Sequence, residues 1–312
     1  MELVLLGTGC PKVDYKRFGP SNIVITQKTK ILIDCGSGIT QRLDQLKVST
    51  SDIDALFLTH LHSDHVVDLY QLIISSWHSY RIKPWTIYGP KGTKKFVKNI
   101  MNAWKDERTQ RINYEARSST QAFKIIVKEF KSKGNIIIKD LKITYFEVDH
   151  KPVKHSFGFN FLHKNKKLTI SGDTRPCENI MKYGQNADVL LHEVFIDGEL
   201  KQKNKMRSRQ TLHNVRSYHT PSSLTLEIII RLSQQHASIT ARLRRFLQPG
   251  FQLPGSPAII LLYEIQLGYG IAGSHFLPIV HLWLGEHFQV VVDSAGILLQ
   301  RIVAIAQQVV DL

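Results

Sequence analysis

Thr59-His60-Leu61-His62-Ser63-Asp64-His65 packs three histidines and an aspartate into six consecutive positions. The residues before it, Asp54 to Thr59, read as a short apolar strand that ends directly on His60. In extended backbone, side chains at i and i+2 share a side, so His60 and His62 can share one metal ion. A helix is expected to begin near Asp64 and run to about Ser76. Asp64 and His65 then sit at its start and can turn toward a second ion. Imidazole and carboxylate suit zinc or a similar borderline ion, with manganese as the alternative. A lone histidine here would read as an ordinary polar loop residue. A His-x-His-x-Asp-His run directly after a buried strand reads as a metal site.

Working outward, the neighbouring segments alternate between strand and helix patterns. Leu3 to Leu6 reads as a buried strand closed by Gly7-Thr8-Gly9. Asn22 to Thr26 and Lys30 to Asp34 are β-branched and apolar and read as two more strands, followed by a short helix at Thr40 to Leu46. Downstream, Trp85 to Tyr88 is a strand stopped by Gly89-Pro90, and Thr93 to Trp104 is helical. Further strands fall at Ile136 to Ile138, Lys142 to Val148, Gly158 to Leu162, Leu168 to Ser171, and Val189 to Leu191, the last ending on His192. Many strands with helices between them predict an α/β (α+β) fold, a β-sandwich flanked by helices, with the metal-bearing loops at strand ends.

Later strand ends offer more ligands. Asp149-His150 closes the run Ile143 to Val148, and Asp173 follows the strand Leu168 to Ile170. His150 would be a third histidine and Asp173 a carboxylate able to bridge two ions. Two adjacent ions generate a nucleophile from water and stabilise charge on the reacting oxygens, which suits phosphodiesters and also serves other esters and lactams.

Composition bounds the rest. The 312 residues carry a formal net charge of +15, which attracts polyanions such as RNA but is also produced by a merely Lys-rich, solvated surface. The three cysteines, Cys10, Cys35 and Cys177, form neither a disulfide framework nor a Cys-x-x-Cys pair, so a reducing compartment is expected. No charged-then-apolar leader precedes the first strand, and the most apolar region, Ala258 to Leu284, is broken by Glu264, Gln266, His275 and His281. A cytoplasmic protein without a membrane span is the expectation. Lysine stops abruptly at Lys205: the first 205 residues hold 26 Lys and 7 Arg against 21 acidic residues, and the remainder holds 8 Arg, no Lys and 5 acidic residues. Residues 1–223 are therefore read as one hydrolase domain, and 224–312 as an atypical Lys-free segment. A second natural domain or a shifted reading frame after Ser223 would each produce that break.

The His-x-His-x-Asp-His run resembles the signature of the metallo-β-lactamase superfamily, and the likeness extends to about Ser223. Within it the chain looks most like the ribonuclease Z and arylsulfatase-type branch. Gly7-Thr8-Gly9-Cys10-Pro11 is similar to that branch's first loop, and Ile33-Asp34-Cys35-Gly36-Ser37-Gly38, then Thr40-Gln41, to its D-C-G-x-G-T-Q run with one residue inserted. Ile87-Tyr88-Gly89-Pro90, Asp149-His150 with Phe157-Gly158-Phe159, Ser171-Gly172-Asp173-Thr174-Arg175-Pro176, Leu191-His192-Glu193-Val194 and His219-Thr220 resemble its remaining motifs.

The resemblance implies an αββα sandwich and an assignment of roles. His60, His62 and His150 would hold the first metal, Asp64 and His65 the second, and Asp173 would bridge. Asp64 would also position the water nucleophile, Glu193 and His219 would help protonate the leaving group, and Asp34 would support the site from behind the ligands. The branch implies two zinc ions and, often, a homodimer.

Two departures stand out. Ribonuclease Z commonly carries a long arm that grips transfer RNA between its F-G-Y and S-G-D-T strands; here Asn160 to Ile170 is a plain hairpin, and a basic surface such as Lys91 to Lys105 would have to replace the arm. The family's last metal-binding histidine is missing near Arg244-Arg245-Phe246, and Ser274-His275-Phe276-Leu277-Pro278 is the nearest look-alike, which makes His275 the candidate. Three readings follow: a two-metal phosphodiesterase that trims the 3′ side of precursor transfer RNA; an arylsulfatase-type hydrolase of small esters with the same site; and an inactive chain whose metal site is incomplete after Ser223.

Overall fold

In the computed structural model, the residues described are 1–9, 17–194, 208–221, 224, 259–264 and 280–282. The chain divides into two compact units, Met1–Tyr145 and Phe146–Leu312.

The first unit is built on a six-stranded sheet. Its strands are β1 (Glu2–Gly7), β2 (Ser21–Ile25), β3 (Lys30–Ile33), β4 (Ala55–Phe57), β5 (Trp85–Gly89) and β6 (Ile125–Glu129), in that spatial order. β1, β2 and β3 pair antiparallel, and β3 through β6 run parallel. The parallel strands are linked by helices: α1 (Ile39–Gln45), α2 (Ser63–Val66) and α3 (Leu69–His78), then α4 (Thr93–Ala103) and α5 (Lys105–Glu115). Ile31, Leu32 and Ile33 are all fully buried, so β3 is covered on both faces, as its unbroken apolar run requires. Ile39 and Leu43 of α1 and Leu69, Leu72 and Ile73 of α3 pack with Ile23, Leu32, Leu56 and Ile87 of the sheet. Phe57 stacks on Tyr88 at 4.5 Å between ring centroids. A hairpin of β7 (Lys133–Ile138) with the first half of β8 (Leu141–Val148) closes this unit, its turn carried by Lys139 in the left-handed region.

Beyond Tyr145, β8 continues into a second sheet with β9 (Ser156–His163), β10 (Lys166–Ile170), β11 (Val189–Val194), β12 (Ile259–Glu264) and β13 (Val280–Leu282). β9 and β10 form an antiparallel hairpin whose two-residue turn, Lys164-Asn165, has both φ angles positive, the geometry that matches strand twist. β10, β11 and β12 are parallel, with β12 in register with β11 from Val189↔Ile259 to Val194↔Glu264. Helices α6 (Glu178–Gly184) and α7 (Arg209–Tyr218) lie among the described residues of this unit; Ser208 caps α7 by accepting from the Thr211 amide at 3.0 Å. Phe146, Ile180 and Leu190 form a buried cluster here. No helix among the described residues is long and apolar enough to cross a membrane.

Three local expectations are corrected. The helix expected from Asp64 to Ser76 is two helices, broken at Val67-Asp68. The Asp68 amide donates to the Cys35 carbonyl at 3.1 Å, and its carboxylate accepts from the Gly38 amide at 2.6 Å, so its backbone is turned toward the 34–38 loop. β4 stops at Phe57, with Leu58 and Thr59 between it and His60, while β11 runs on through His192 and Glu193. The charged helix α5 shows no apolar stripe and buries no residue; Arg111 pairs with Glu107 and Glu115, one turn away on either side.

Candidate metal centre

The histidine loop of the first unit is held from two sides. Leu58 donates its amide to the Tyr88 carbonyl, and Asp34, just past β3, donates its amide to the Phe57 carbonyl, both at 2.8 Å. Asp34 sits in the left-handed region at φ 60 and is 3% exposed. Its Oδ1 accepts from the Thr59 amide and its Oδ2 from the Thr59 hydroxyl, each at 2.8 Å. The same Oδ2 lies 2.8 Å from His65 Nδ1. Burial pushes the Asp34 carboxyl above its ordinary range, and the His65 ring and the Thr59 donors pull in the opposite direction. The Cys35 amide donates to the His65 carbonyl at 2.7 Å, which ties the start of α2 to the Asp34 loop.

These contacts set ring orientation. Thr59 Oγ1 lies 3.0 Å from His60 Nδ1, so His60 and His65 each engage a neighbour through Nδ1 and present Nε2 for ligation. The His60 ring centroid is 4.6 Å from that of His62 and 4.2 Å from that of His65. His65 Nε2 and Asp64 Oδ2 are 3.8 Å apart, a spacing for two ligands of one ion rather than for a hydrogen bond. The donor set of imidazole nitrogens backed by a carboxylate and a hydroxyl fits a divalent metal.

In the second unit four motif segments are stitched together. The Arg175 amide donates to the Asp149 carbonyl at 2.8 Å, and the Arg175 guanidinium grips Asp149 Oδ2 through Nε at 2.9 Å and Nη2 at 2.7 Å. Partial burial raises the Asp149 carboxyl, but the Arg175 contacts outweigh it and hold the group below its usual range. The Ser171 amide donates to the Leu191 carbonyl at 2.9 Å, and Ser171 Oγ accepts from the Glu193 amide at 3.1 Å. Thr220 Oγ1 donates to the Thr174 carbonyl at 2.7 Å.

This framework gathers His150, Asp173 and His219, whose ligand atoms all lie within 4.8 Å of one another. His150 Nδ1 faces the Tyr218 carbonyl at 2.9 Å, and its Nε2 is 4.0 Å from Asp173 Oδ2. Glu193 is fully buried; its Oε1 accepts from the Thr174 amide, and its Oε2 lies 2.9 Å from His219 Nδ1. A carboxylate bound to one ring nitrogen fixes the tautomer and supports a proton on the other. Next to it, His192 is buried with Nδ1 2.6 Å from the Glu193 carbonyl, and burial lowers its pKa to about 4, so it is a neutral structural group.

Of the residues expected from sequence, His60, His62, Asp64 and His65 come together with Asp34 in the first unit. His150, Asp173, Glu193 and His219 come together in the second. His275 lies outside the described residues. Thr59, Ser171, Thr174, Arg175 and Tyr218 were not singled out for these roles. Thr59 opens the histidine run, and Ser171, Thr174 and Arg175 lie inside the Ser171–Pro176 motif, which is the signal that points to them. A cavity of about 510 Å³ lies elsewhere, at the other end of β3 and β4 from His60, and its Lys30, Lys83 and Lys139 are ion-paired with its own Asp52 and Asp54.

Comparison with known proteins agrees with this geometry. Residues 1–220 match the family described as anti-Pycsar protein Apyc1. A ribonuclease Z of Mycolicibacterium gilvum is 36% identical over 199 residues, spanning 62% of this chain and 69% of that protein. The human short form of tRNase Z superposes with a TM-score of 0.53 at 23% identity, covering 72% of this chain and 94% of that one. The metallo-β-lactamase fold protein YhfI of Bacillus subtilis superposes with a TM-score of 0.54 at 16% identity, covering 74% and 79%.

Proposed function

Because this chain belongs to the Apyc1 family, within the ribonuclease Z-like proteins of metallo-β-lactamase fold, we propose that it is a two-metal phosphodiesterase acting on the 3′ side of precursor transfer RNA. The observation that carries the reaction class is the Glu193–His219 pair beside His150 and Asp173. It adds a proton donor to a metal-ligand set, as expulsion of an alkoxide from phosphorus demands. The RNA substrate rests on the ribonuclease Z relatives and on the net charge of +15.

On the family's motif order, His60, His62 and His150 would hold one ion, Asp64 and His65 a second, and Asp173 would be shared by both, with His275 the candidate for the last ligand. The ions, zinc in this reading, supply Lewis acidity that acidifies water and offsets charge on the phosphoryl oxygens. Asp64 orients the attacking water. Asp34 and Thr59 hold the rings of His65 and His60 through Nδ1. As the water oxygen, having released one proton to solvent, bonds to phosphorus and the P–O bond to the leaving group breaks, the proton on His219 Nε2 passes to the leaving oxygen, and the ring is reprotonated from solvent. Glu193 stabilises the charged ring before that transfer. A homodimer and a cytoplasmic setting belong to the same reading.

One observation favours a smaller substrate. The β9–β10 connection is a two-residue turn at Lys164-Asn165, with no arm to grip a large RNA. A small phosphodiester or aryl ester is the second reading. Cleavage of a precursor transfer RNA and of bis(p-nitrophenyl) phosphate, each with and without a chelator, separates the two. Chelator-sensitive cutting at the 3′ side supports the first reading. Turnover of the small ester alone supports the second, and chelator-resistant activity on both sinks the metal mechanism.

A further inference from the structure

Lys94, Lys95 and Lys98 are exposed on one side of α4, and exposed Lys91 stands just before its N-cap, Gly92. Away from the lysines, Val97 is buried in the core of the first unit and Phe96 packs against it. Residues 91–103 contain no acidic side chain. Among the described residues none of these four lysines has an ion-pair partner. The one carboxylate at this helix end, Glu129, accepts through Oε1 from the Gly92 and Lys94 amides at 2.8 and 2.9 Å.

This arrangement works against the helix. Like charges one turn apart cost roughly 0.2–0.5 kcal/mol per pair. Cations in the first turn also oppose the helix dipole. The next helix, α5, by contrast pairs Arg111 with Glu107 and Glu115. An anionic chain along the stripe would remove the penalty.

The stripe also begins next to the histidine loop. A Cβ built on Gly92 would lie 3.4 Å from Leu61 Cδ1, and Leu61 stands between His60 and His62. From Lys94 to Lys98 the helix rises about 6 Å at 1.5 Å per residue.

We propose that the outer face of α4 is a docking track for the phosphodiester backbone of an RNA, guiding it toward the His60–His65 loop. The proposal rests on the RNA reading above and supplies the grip that the short β9–β10 hairpin lacks.

The test compares the full chain with its K94Q/K95Q/K98Q variant; glutamine keeps helix propensity and length while removing charge. Binding of a labelled precursor transfer RNA is followed by fluorescence anisotropy over a salt series, beside turnover of bis(p-nitrophenyl) phosphate. The expected result is RNA affinity at least tenfold weaker in the variant at low salt, with small-ester turnover unchanged. The slope of log affinity against log salt becomes shallower by about 2, at roughly 0.7 per lost single-strand phosphate contact. RNA affinity and slope equal to the parent's overturn the docking track while leaving the RNA reading intact. A parent chain that turns over the small ester but neither binds nor cuts RNA overturns both. Parallel loss of small-ester turnover also overturns the track, because the lysines would then be acting through the reaction centre.

Discussion

Asp34 and His65, 31 positions apart in sequence, meet at 2.8 Å between Oδ2 and Nδ1, and the same carboxylate binds both the amide and the hydroxyl of Thr59. One buried acid therefore sets the tautomer of His65 and the path of the chain into His60. Its own left-handed backbone at φ 60 aims it at both.

Asp34→Asn is expected to weaken metal uptake about 10- to 100-fold, the usual effect of losing a carboxylate behind a ligating histidine. Isothermal titration of the metal-stripped protein with zinc reads this directly. Unchanged affinity with an unchanged circular dichroism spectrum would show that Asp34 has no hold on the ligand.

Glu193→Gln and His219→Asn should each lower kcat on a phosphodiester by about 10²- to 10⁴-fold, the range for a positioned acid. The two groups act as one unit, so the double variant should be little worse than the worse single one. Losses that multiply would mean that the 2.9 Å contact between them is incidental to the reaction.

His192 predicts an acid-side loss of stability. Its folded pKa of about 4 lies below the ordinary 6.5. Above pH 6.5 neither state binds the proton and stability is flat. Between 6.5 and about 4 the unfolded state binds it first, so stability falls as pH falls, by about 3 kcal/mol in total, and levels off below. In denaturant titrations over this range His192→Asn should lose most of that slope relative to the parent. Identical slopes would rule His192 out as its source.

Arg81 is 1% exposed and donates to the carbonyls of Ser51, Ile53, Lys83 and Pro84 at 2.8–3.1 Å, with its guanidinium 4.0 Å from the Trp85 ring centroid. Arg81→Leu should destabilise the protein by about 3 kcal/mol, because one buried carbonyl and three partly buried ones lose a charged donor together. Chemical denaturation measures it, and a change under about 1 kcal/mol would mean that water takes over the donors' role.

Gly36→Ala should disturb the histidine loop without touching a ligand. The added Cβ would lie 2.5 Å from the Gly19 carbonyl carbon and 2.6 Å from the Asp64 carbonyl oxygen, both backbone atoms that cannot swing aside. Loss of metal binding larger than the loss of thermal stability is the expected pattern. Normal metal affinity would show that the loop tolerates the shift.

The sequence alone determined the histidine loop, the strands that carry it and the metallo-β-lactamase fold. Those features are written in short windows: a His-x-His-x-Asp-His run after an apolar strand, and Asp-Cys-Gly and Ser-Gly-Asp-Thr motifs at fixed offsets from their own strands. The tertiary structure decided what holds each ring. Thr59 serves two partners, the Tyr218 carbonyl orients His150, and Asp68 breaks the expected helix by turning to Cys35 and Gly38. It also decided that α5 forms without an apolar stripe, its Glu107 and Arg108 tied to Tyr70 and Met101, and that Glu193 sits inside β11 rather than beyond it. The physical reason is common to all of these. Metal-ligand spacing and strand alternation are local and leave a period in the sequence, whereas a buried hydrogen bond between segments tens of residues apart leaves none. Such partners exist only once the sheets have brought the loop ends together.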